Sequence, residues 1–337
     1  MRIGLAYDLK EAVPHGPAGP EDALEEYDCP ETVESITVAI EAKGHSVVRL
    51  GGGKDFLHNI LREKVDLVLN IAEGLGNYRS REAQVPSVLE MLGIPYSGSD
   101  PQCLAICLDK PLTKTLLRTA AISTPKWQVI QYGCHLEEMS WQDFPLPAFV
   151  KPAYEGSSKG IRLSSKASTV AEIVRLTKAL LEQYQQPVMV EEFIAGDEVT
   201  VGVAGLPPRV LGIMRVLPKK GSDPNFTYSL EVKRDWENLV RYECPAQLPS
   251  KTMRQIARAS LKAFDVLGCW DVARIDFRVD VKGRPYLLEI NPLPGLRPGY
   301  SDLPIMAEKA GYGYNALIGL ILDSALGRHN LCLARSA

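Results

Sequence analysis

Four residues, Arg274, Asp276, Glu289 and Asn291, combine types and spacing that could do chemistry. They lie in two alternating apolar and polar runs on either side of Lys282-Gly283, and such runs joined by a short Gly-containing connection read as a β-hairpin. With those two residues as the loop, Ile275 pairs with Ile290, Phe277 with Leu288 and Val279 with Tyr286 on one face. The period of two then sets Asp276 opposite Glu289 on the other face, with Arg274 and Asn291 alongside. Like charges directly opposite each other destabilise a sheet, so a cation is wanted between them. All the donors are hard oxygens, which favours magnesium or manganese over zinc. The other reading is a solvent-facing hairpin with ordinary charges. Against it stands Asn291-Pro292-Leu293-Pro294-Gly295-Leu296, a rigid loop that can carry backbone N–H groups to a reacting centre.

Upstream lie segments suited to phosphate. Pro147-Ala148-Phe149-Val150-Lys151-Pro152 reads as a buried strand ending in a lysine, followed by Glu155-Gly156-Ser157-Ser158-Lys159-Gly160. Small residues and hydroxyls let backbone N–H groups curl around an anion, although a loop of this kind is also an ordinary hairpin turn. Lys110 and Lys151 could add point charges to the same phosphates. Val188 to Val201 runs from an apolar strand into Glu191-Glu192-Phe193-Ile194, whose main chain could meet an adenine edge, and Glu198 could accept from ribose hydroxyls. A strand end with solvated acids is the alternative. Residues 222–245, with Lys233 and Arg234, read as a surface loop or lid.

The chain that must position these groups has 337 residues, 45% of them hydrophobic, enough for two or three α/β domains with ordinary cores. A net charge of −3 leaves no electrostatic footprint for nucleic acid or an anionic membrane. No apolar run approaches the ~20 residues that span a bilayer. Seven scattered cysteines without a metal-type CxxC pair suggest reduced thiols in a cytoplasmic protein, with Cys103 and Cys107 buried on one helix. The five histidines, His15 and His135 among them, do not cluster, and Met1 runs straight into a strand rather than a leader. Residues 1–97 alternate strand and helix, which implies a parallel sheet whose ligands sit beyond the strand ends, near the long loop from Lys10 to Asp28 and the stretch from Ala72 to Glu82. Gly51-Gly52-Gly53 lacks phosphate-loop spacing and reads as a turn. The expected division is 1–97, 98–187 and 188–337, closed by one amphipathic helix over 307–326.

Taken in order, Asp109-Lys110, Glu155-Gly156-Ser157-Ser158, Glu191 to Ile194, Lys233, Arg274-Ile275-Asp276 and Tyr286 to Asn291 with Pro294-Gly295 resemble the ATP-grasp ligases, specifically the D-alanine–D-alanine ligase family. The resemblance covers about residues 66 to 326. It implies a mixed α/β ATP-grasp fold behind an N-terminal parallel-sheet domain, ATP held between two sheets, and two magnesium ions on Asp276, Glu289 and Asn291. Lys110 and Lys151, with Glu155, Ser157 and Ser158 nearby, would serve the α- and β-phosphates; Glu191, Glu192, Phe193 and Ile194 the adenine; Glu198 the ribose. Lys233 would reach the γ-phosphate. The implied chemistry is phosphorylation of a carboxylate and attack of an amine on the acyl phosphate, with Arg274, Ser157 and the Gly295 N–H among the catalytic groups. A homodimer acting on small amino acids is implied as well.

The departures fall on the substrate side. The family's His-Gly after the third strand reads Ala72-Glu73-Gly74 here, its early Ser-x-Glu motif is not evident, and Glu26, Asp28 and Glu31 are the candidate ammonium-binding acids. A lid tyrosine is replaced by Arg234, and the Ser-rich segment for the second substrate reads Arg297-Pro298-Gly299-Tyr300-Ser301-Asp302. The residues therefore lead to an ATP-dependent carboxylate–amine ligase, with Glu73, Arg234, Arg297, Tyr300 and Ser301 as substrate candidates. An extra arginine would suit a substrate with a further acidic group. The alternatives are a ligase for another amino-acid or natural-product pair, and a non-catalytic ATP-binding protein.

Overall fold

The computed structural model describes residues 1–13, 19–134, 136, 139–221 and 223–331. Part of the loop from Lys10 to Asp28, His15, His135, Ser222 of the lid and Cys332 lie outside them. Three sheets carry the fold. Strands β1 (Arg2–Ala6), β2 (Ser46–Gly51) and β3 (Leu67–Asn70) form the expected parallel sheet in the order β2-β1-β3. Helix Pro30–Glu41 starts at a proline, which loses no hydrogen bond there, and buries Val33, Ile36 and Ile40 against β1 and β3. The glycine run is a turn after all: Gly51 and Gly53 have positive φ, and a Cβ on Gly52 would collide with the Asp8 carboxylate.

The second sheet is antiparallel, β4-β7-β5-β6, built from β4 (Trp127–Ile130), β5 (Ala148–Pro152), β6 (Lys166–Ala167) and β7 (Val188–Glu192). Because β7 lies between β4 and β5, the central unit extends through Glu192 rather than ending at 187. The third sheet, order β10-β9-β8-β11-β12, comprises β8 (Gly196–Ala204), β9 (Arg209–Pro218), β10 (Val240–Glu243), β11 (Val272–Asp280) and β12 (Pro285–Asn291).

Three further expectations change. The segment over 222–245 is not wholly loop: Ser229 caps a short helix, Leu230–Arg234, and Val240–Glu243 adds an edge strand to β9. The closing helix is two, Asp302–Lys309 and Tyr314–Arg328, broken where Gly311 takes φ +89°. The second of these packs Leu317, Ile321 and Ala325 into one core with Ile36 and Ile40, so the end of the chain completes the first domain.

The hairpin itself differs from its predicted register by one residue. Ile275 pairs with Ile290 and Asp276 with Glu289 as expected, but Phe277 faces Leu287 and Arg278 faces Tyr286. The connection is longer than two residues: Asp280 accepts from the backbone of Lys282 and Arg284, and the strands resume at Val279 and Pro285. The shift sits in a β-bulge at Leu288, which sends Leu287 into the core and turns Leu288 to the cleft. Truncating Leu287 to Ala removes a wholly buried side chain and should cost about 2–5 kcal/mol in denaturant unfolding. Leu288→Ala should leave the unfolding midpoint nearly unchanged while raising the KM for ATP; the reverse pattern would restore the unbulged register.

Candidate active site

The site lies between the second and third sheets. Asp276 accepts from both the Nε and Nη2 of Arg274 (3.2 and 2.8 Å), from the Thr200 hydroxyl (2.7 Å) and from Asn291 Nδ2 (3.1 Å). Across the strand pair, Glu289 lies 3.2 Å from the Lys110 amine. Burial pushes both carboxyls up, yet the outcomes differ. Lys110, Lys151 and Arg274 draw Glu289 down to about 2, whereas Asp276 stays above its ordinary value because Arg274 only partly offsets burial and Glu289 repels it. A half-neutralised pair of carboxylates with an amide beside it is a fitting donor set for a hard cation.

Behind this hairpin lies a second buried charge cluster. Glu191 is engaged by Lys114 on one oxygen and by Lys151 on the other, the latter at 2.9 Å. Its side chain is thus committed to lysines, and Glu191 borders the cleft together with its continuation, Glu192 to Ile194. Lys114 was passed over in the sequence, although it stands one helical turn after Lys110 on the same face of helix Lys110–Thr119. Burial brings the Lys114 amine down to about 8 despite Glu191. Lys110 itself turns away, donating to the Glu155 carbonyl and pairing with Glu289.

Arg278 is a further residue the sequence reading missed, though it continues the period-two face of Arg274 and Asp276. Its buried guanidinium donates to the carbonyls of Ile194, Gly196, Pro224 and Phe226 at 2.7–3.1 Å and covers the Phe193 ring. One side chain therefore fixes the crossover between the two sheets and the start of the lid. Glu198, held by Arg278 (3.3 Å) and the Tyr228 N–H (2.9 Å), faces the same cleft.

The loop expected to meet phosphates has Ser157 and Ser158 in the left-handed region, φ 48° and 62°, a cost that surrounding bonds must outweigh. Those bonds are buried and ionic. The Glu155 side chain accepts from Arg81 (3.1 Å) and Gln186 (2.6 Å) and pairs with Lys159, so it braces the loop instead of lining the cleft. Glu26, from the long N-terminal loop, pairs with Arg81 (2.7 Å) and Lys159 (2.8 Å), and Asp22 accepts from Tyr184 and the Gly160 N–H. The lid closes on the same loop: Leu230 N–H donates to the Ile161 carbonyl, and Lys233 lines the cleft with its side-chain amine in no hydrogen bond or ion pair among the described residues.

A second cavity adjoins the cleft. It is bordered by Lys10, Glu25 to Cys29, Glu73, Gly295, Arg297 and Tyr300 to Asp302, and it shares Ser157, Lys233, Arg274 and Asp302 with the first. Of the candidate substrate residues, Glu73, Arg297, Tyr300 and Ser301 are brought here and Arg234 is not. Arg234 pairs with Glu21 and Glu25 (2.9 and 2.7 Å), which ties the lid to the N-terminal loop. Arg297 pairs with Glu31 (3.0 Å) and stacks on Tyr300, so each already has a partner within the protein. Glu26 is likewise committed to Arg81 and Lys159. Asp28 and Glu73 remain, both raised by burial, Asp28 to about 7.

The family model for the D-ala D-ala ligase C-terminus matches residues 116–323. The D-alanine–D-alanine ligase of Geotalea uraniireducens is 32% identical over 86% of this chain and 88% of its own. The chain belongs to the D-alanine–D-alanine ligase family. An uncharacterized Sinorhizobium fredii protein, y4sG, is also 32% identical, over 88% of each chain. The fold matches the crystal structure of Bacillus anthracis D-alanine–D-alanine ligase complexed with ATP, with a TM-score of 0.75 at 23% identity over 98% of this chain and 99% of that one. The protein is thus an ATP-grasp enzyme, an ATP-dependent carboxylate–amine ligase. No helix among the described residues is long and apolar enough to cross a membrane.

The raised Asp28 carboxyl gives the ligase a testable pH dependence. Above about pH 7 the group is ionised and below it the charge is lost, so a substrate ammonium held by Asp28 would bind more weakly at low pH. The KM for the amino-acid substrate should fall as pH rises through about 7 while the KM for ATP does not follow, and Asp28→Asn should remove that step. A wild-type profile flat from pH 6 to 8 would contradict the assignment.

Proposed function

We propose that the protein joins two amino acids through an acyl phosphate, with D-alanine and D-alanine as the first pair to test, in cell-wall precursor synthesis. The observation that carries this reading is the meeting of the two cavities at Ser157, Lys233, Arg274 and Asp302: a nucleotide in one presents its terminal phosphate to a carboxylate in the other.

The nucleotide base lies along the backbone from Glu192 to Ile194, with Glu198 at the ribose. Lys151 and the Ser157-Ser158 loop meet the phosphates. Lys114 and Lys110 act behind them, through Glu191 and Glu289. Asp276, Glu289 and Asn291 would hold magnesium, two ions by family resemblance, which supplies neutralisation of the phosphate charge. Lys233 draws the γ-phosphate toward the second cavity, aided by an amine whose charge burial has left poorly solvated. The substrate carboxylate oxygen attacks that phosphorus and ADP leaves. The second amine then attacks the acyl carbon; Arg274 and the Gly295 N–H stabilise the oxyanion, and phosphate departs. The closed lid keeps water from the acyl phosphate.

The substrate side favours amines over extra acids. With Arg234 and Arg297 paired to acids of the protein, Asp28 and Glu73 are cavity carboxylates without an ion-pair partner among the described residues, with Lys10 also unpaired on the same wall, and one of the two acids binds the first ammonium. Glu73 lies where the family has His-Gly, and this supports the second reading, a ligase for another amino-acid pair. The enzyme works on small molecules, and a homodimer is carried over from the family.

ADP release with ATP and magnesium, measured against single D- and L-amino acids and their pairs with the product mass read out, decides between the readings. The D-alanyl-D-alanine mass is expected; turnover with a different pair only would keep the mechanism and move the substrate. Silence with every pair would leave a nucleotide-binding protein.

In the same assay Lys233→Ala should lower kcat far more than it raises the KM for ATP, and Glu289→Gln should reduce turnover by orders of magnitude with an unchanged melting temperature. Retained activity in Glu289→Gln would remove it from the metal set.

A further inference from the structure

Away from the cleft, three thiols meet. Cys103 and Cys107 lie one turn apart on helix Pro101–Leu108, and Cys269 reaches them from the residues just before β11. Cys103 Sγ is 3.9 Å from Cys107 Sγ and 3.6 Å from Cys269 Sγ, and all three sulfurs lie within 4.8 Å of one another. Each residue is at most 4% exposed, and their apolar neighbours include Ile122, Phe264 and Leu267. The 161 residues between Cys107 and Cys269 hide the trio from any reading by spacing. None of the three lines the cleft or the adjoining cavity.

The two separations from Cys103, 3.9 and 3.6 Å, are close to those around a central ion, and the third pair lies within 4.8 Å. With metal–thiolate bonds of about 2.3 Å, three sulfurs around one ion are about 4.0 Å apart in a trigonal plane and about 3.8 Å apart in a pyramid with tetrahedral angles. Zinc wants a fourth ligand, and no fourth cysteine, histidine or carboxylate among the described residues joins the group. We infer that Cys103, Cys107 and Cys269 form a three-thiol site for a soft, three-coordinate ion, with monovalent copper and trivalent arsenic as the two chemistries that fit.

These two differ in what they leave behind. Arsenous acid condenses with three thiols: three As–S bonds replace three As–O bonds, each thiol proton leaves with a hydroxyl as water, and the centre is neutral. Copper(I) displaces thiol protons to solvent and leaves a net negative charge, which an apolar core disfavours. Cys103, in the first turn of its helix, is placed to carry such charge. The helix runs directly into Lys110 and Cys269 into the strand of Arg274 and Asp276, so an ion here joins the two segments that carry the site's cations and metal ligands.

The test uses the full-length, chemically reduced protein, titrated separately with arsenite and with copper(I) buffered by a competing chelator, with ions per chain counted by native mass spectrometry. One ion per chain from at least one probe is expected, with a rise in melting temperature. Cys269→Ser and Cys107→Ala should lose it, while Cys29→Ser and Cys134→Ser keep it. X-ray absorption on the loaded wild type should give three sulfur neighbours, a readout that survives if a variant fails to fold. No ion from either probe, binding unchanged in both cluster variants, or two sulfur neighbours would overturn the inference. None of these outcomes depends on the ligase assay.

Discussion

Two carboxylates on facing strands set the terms for the rest of the molecule. Asp276 opposite Glu289 is a like-charged cross-strand pair lining the cleft, and such a pair is unstable unless cations surround it. The chain supplies Arg274 from the same strand and Lys110 from a helix after the first domain, and leaves Asp276 above its ordinary pKa. That residual deficit supports the proposal that a cation binds between them. Lys110 also donates to the Glu155 carbonyl, so the hairpin's charge is tied to the phosphate loop.

The same logic governs how the domains meet. Taking Glu26, Arg81, Glu155 and Lys159 out of water costs several kcal/mol per ion unless each is multiply paired, and here each carboxylate meets two cations. This network contributes little net stability compared with an apolar contact of equal size. What it provides is register: a displacement of the N-terminal loop strips partners from Glu26, Asp22 and Tyr184 together. The two strained serines of the phosphate loop are held by that all-or-none arrangement.

Much of the ATP half was legible in the sequence because its signals are local. The alternation around Lys282-Gly283 gave the facing of Asp276 and Glu289, and the buried strand before Lys151 placed a lysine at a loop. Local signals also failed in identifiable ways. The bulge at Leu288 cannot be seen from alternation, because Leu287 and Leu288 are equally apolar and only the core on one side and the cleft on the other separates them. The assignment of Lys110 rather than Lys114 to the phosphates rested on a motif, whereas the partner of Lys114 is Glu191, 77 positions later. Arg234 and Arg297 looked available for a substrate because their acids, Glu21, Glu25 and Glu31, lie more than 200 residues away in sequence. Charge pairing between distant segments is what the sequence withholds.

That last point decides how the substrate cavity is to be understood. Counting charged residues along its wall suggests a mixed pocket, but pairing removes most of them from play. Arg297 belongs to Glu31, Glu25 to Arg234 and Glu26 to Arg81 and Lys159. Lys233 and Arg274 face the phosphate end that the two cavities share. At the far end stand the carboxylates of Asp28 and Glu73, each raised chiefly by burial and further by neighbouring acids, with Lys10 on the same wall. Under the proposed function a substrate would enter with its carboxylate toward Lys233 and Arg274 and its ammonium toward the acids. This polarity orients an amino acid for phosphorylation before any contact with its side chain is made, so side-chain selectivity has to come from the neutral wall that Tyr300 and Cys29 supply.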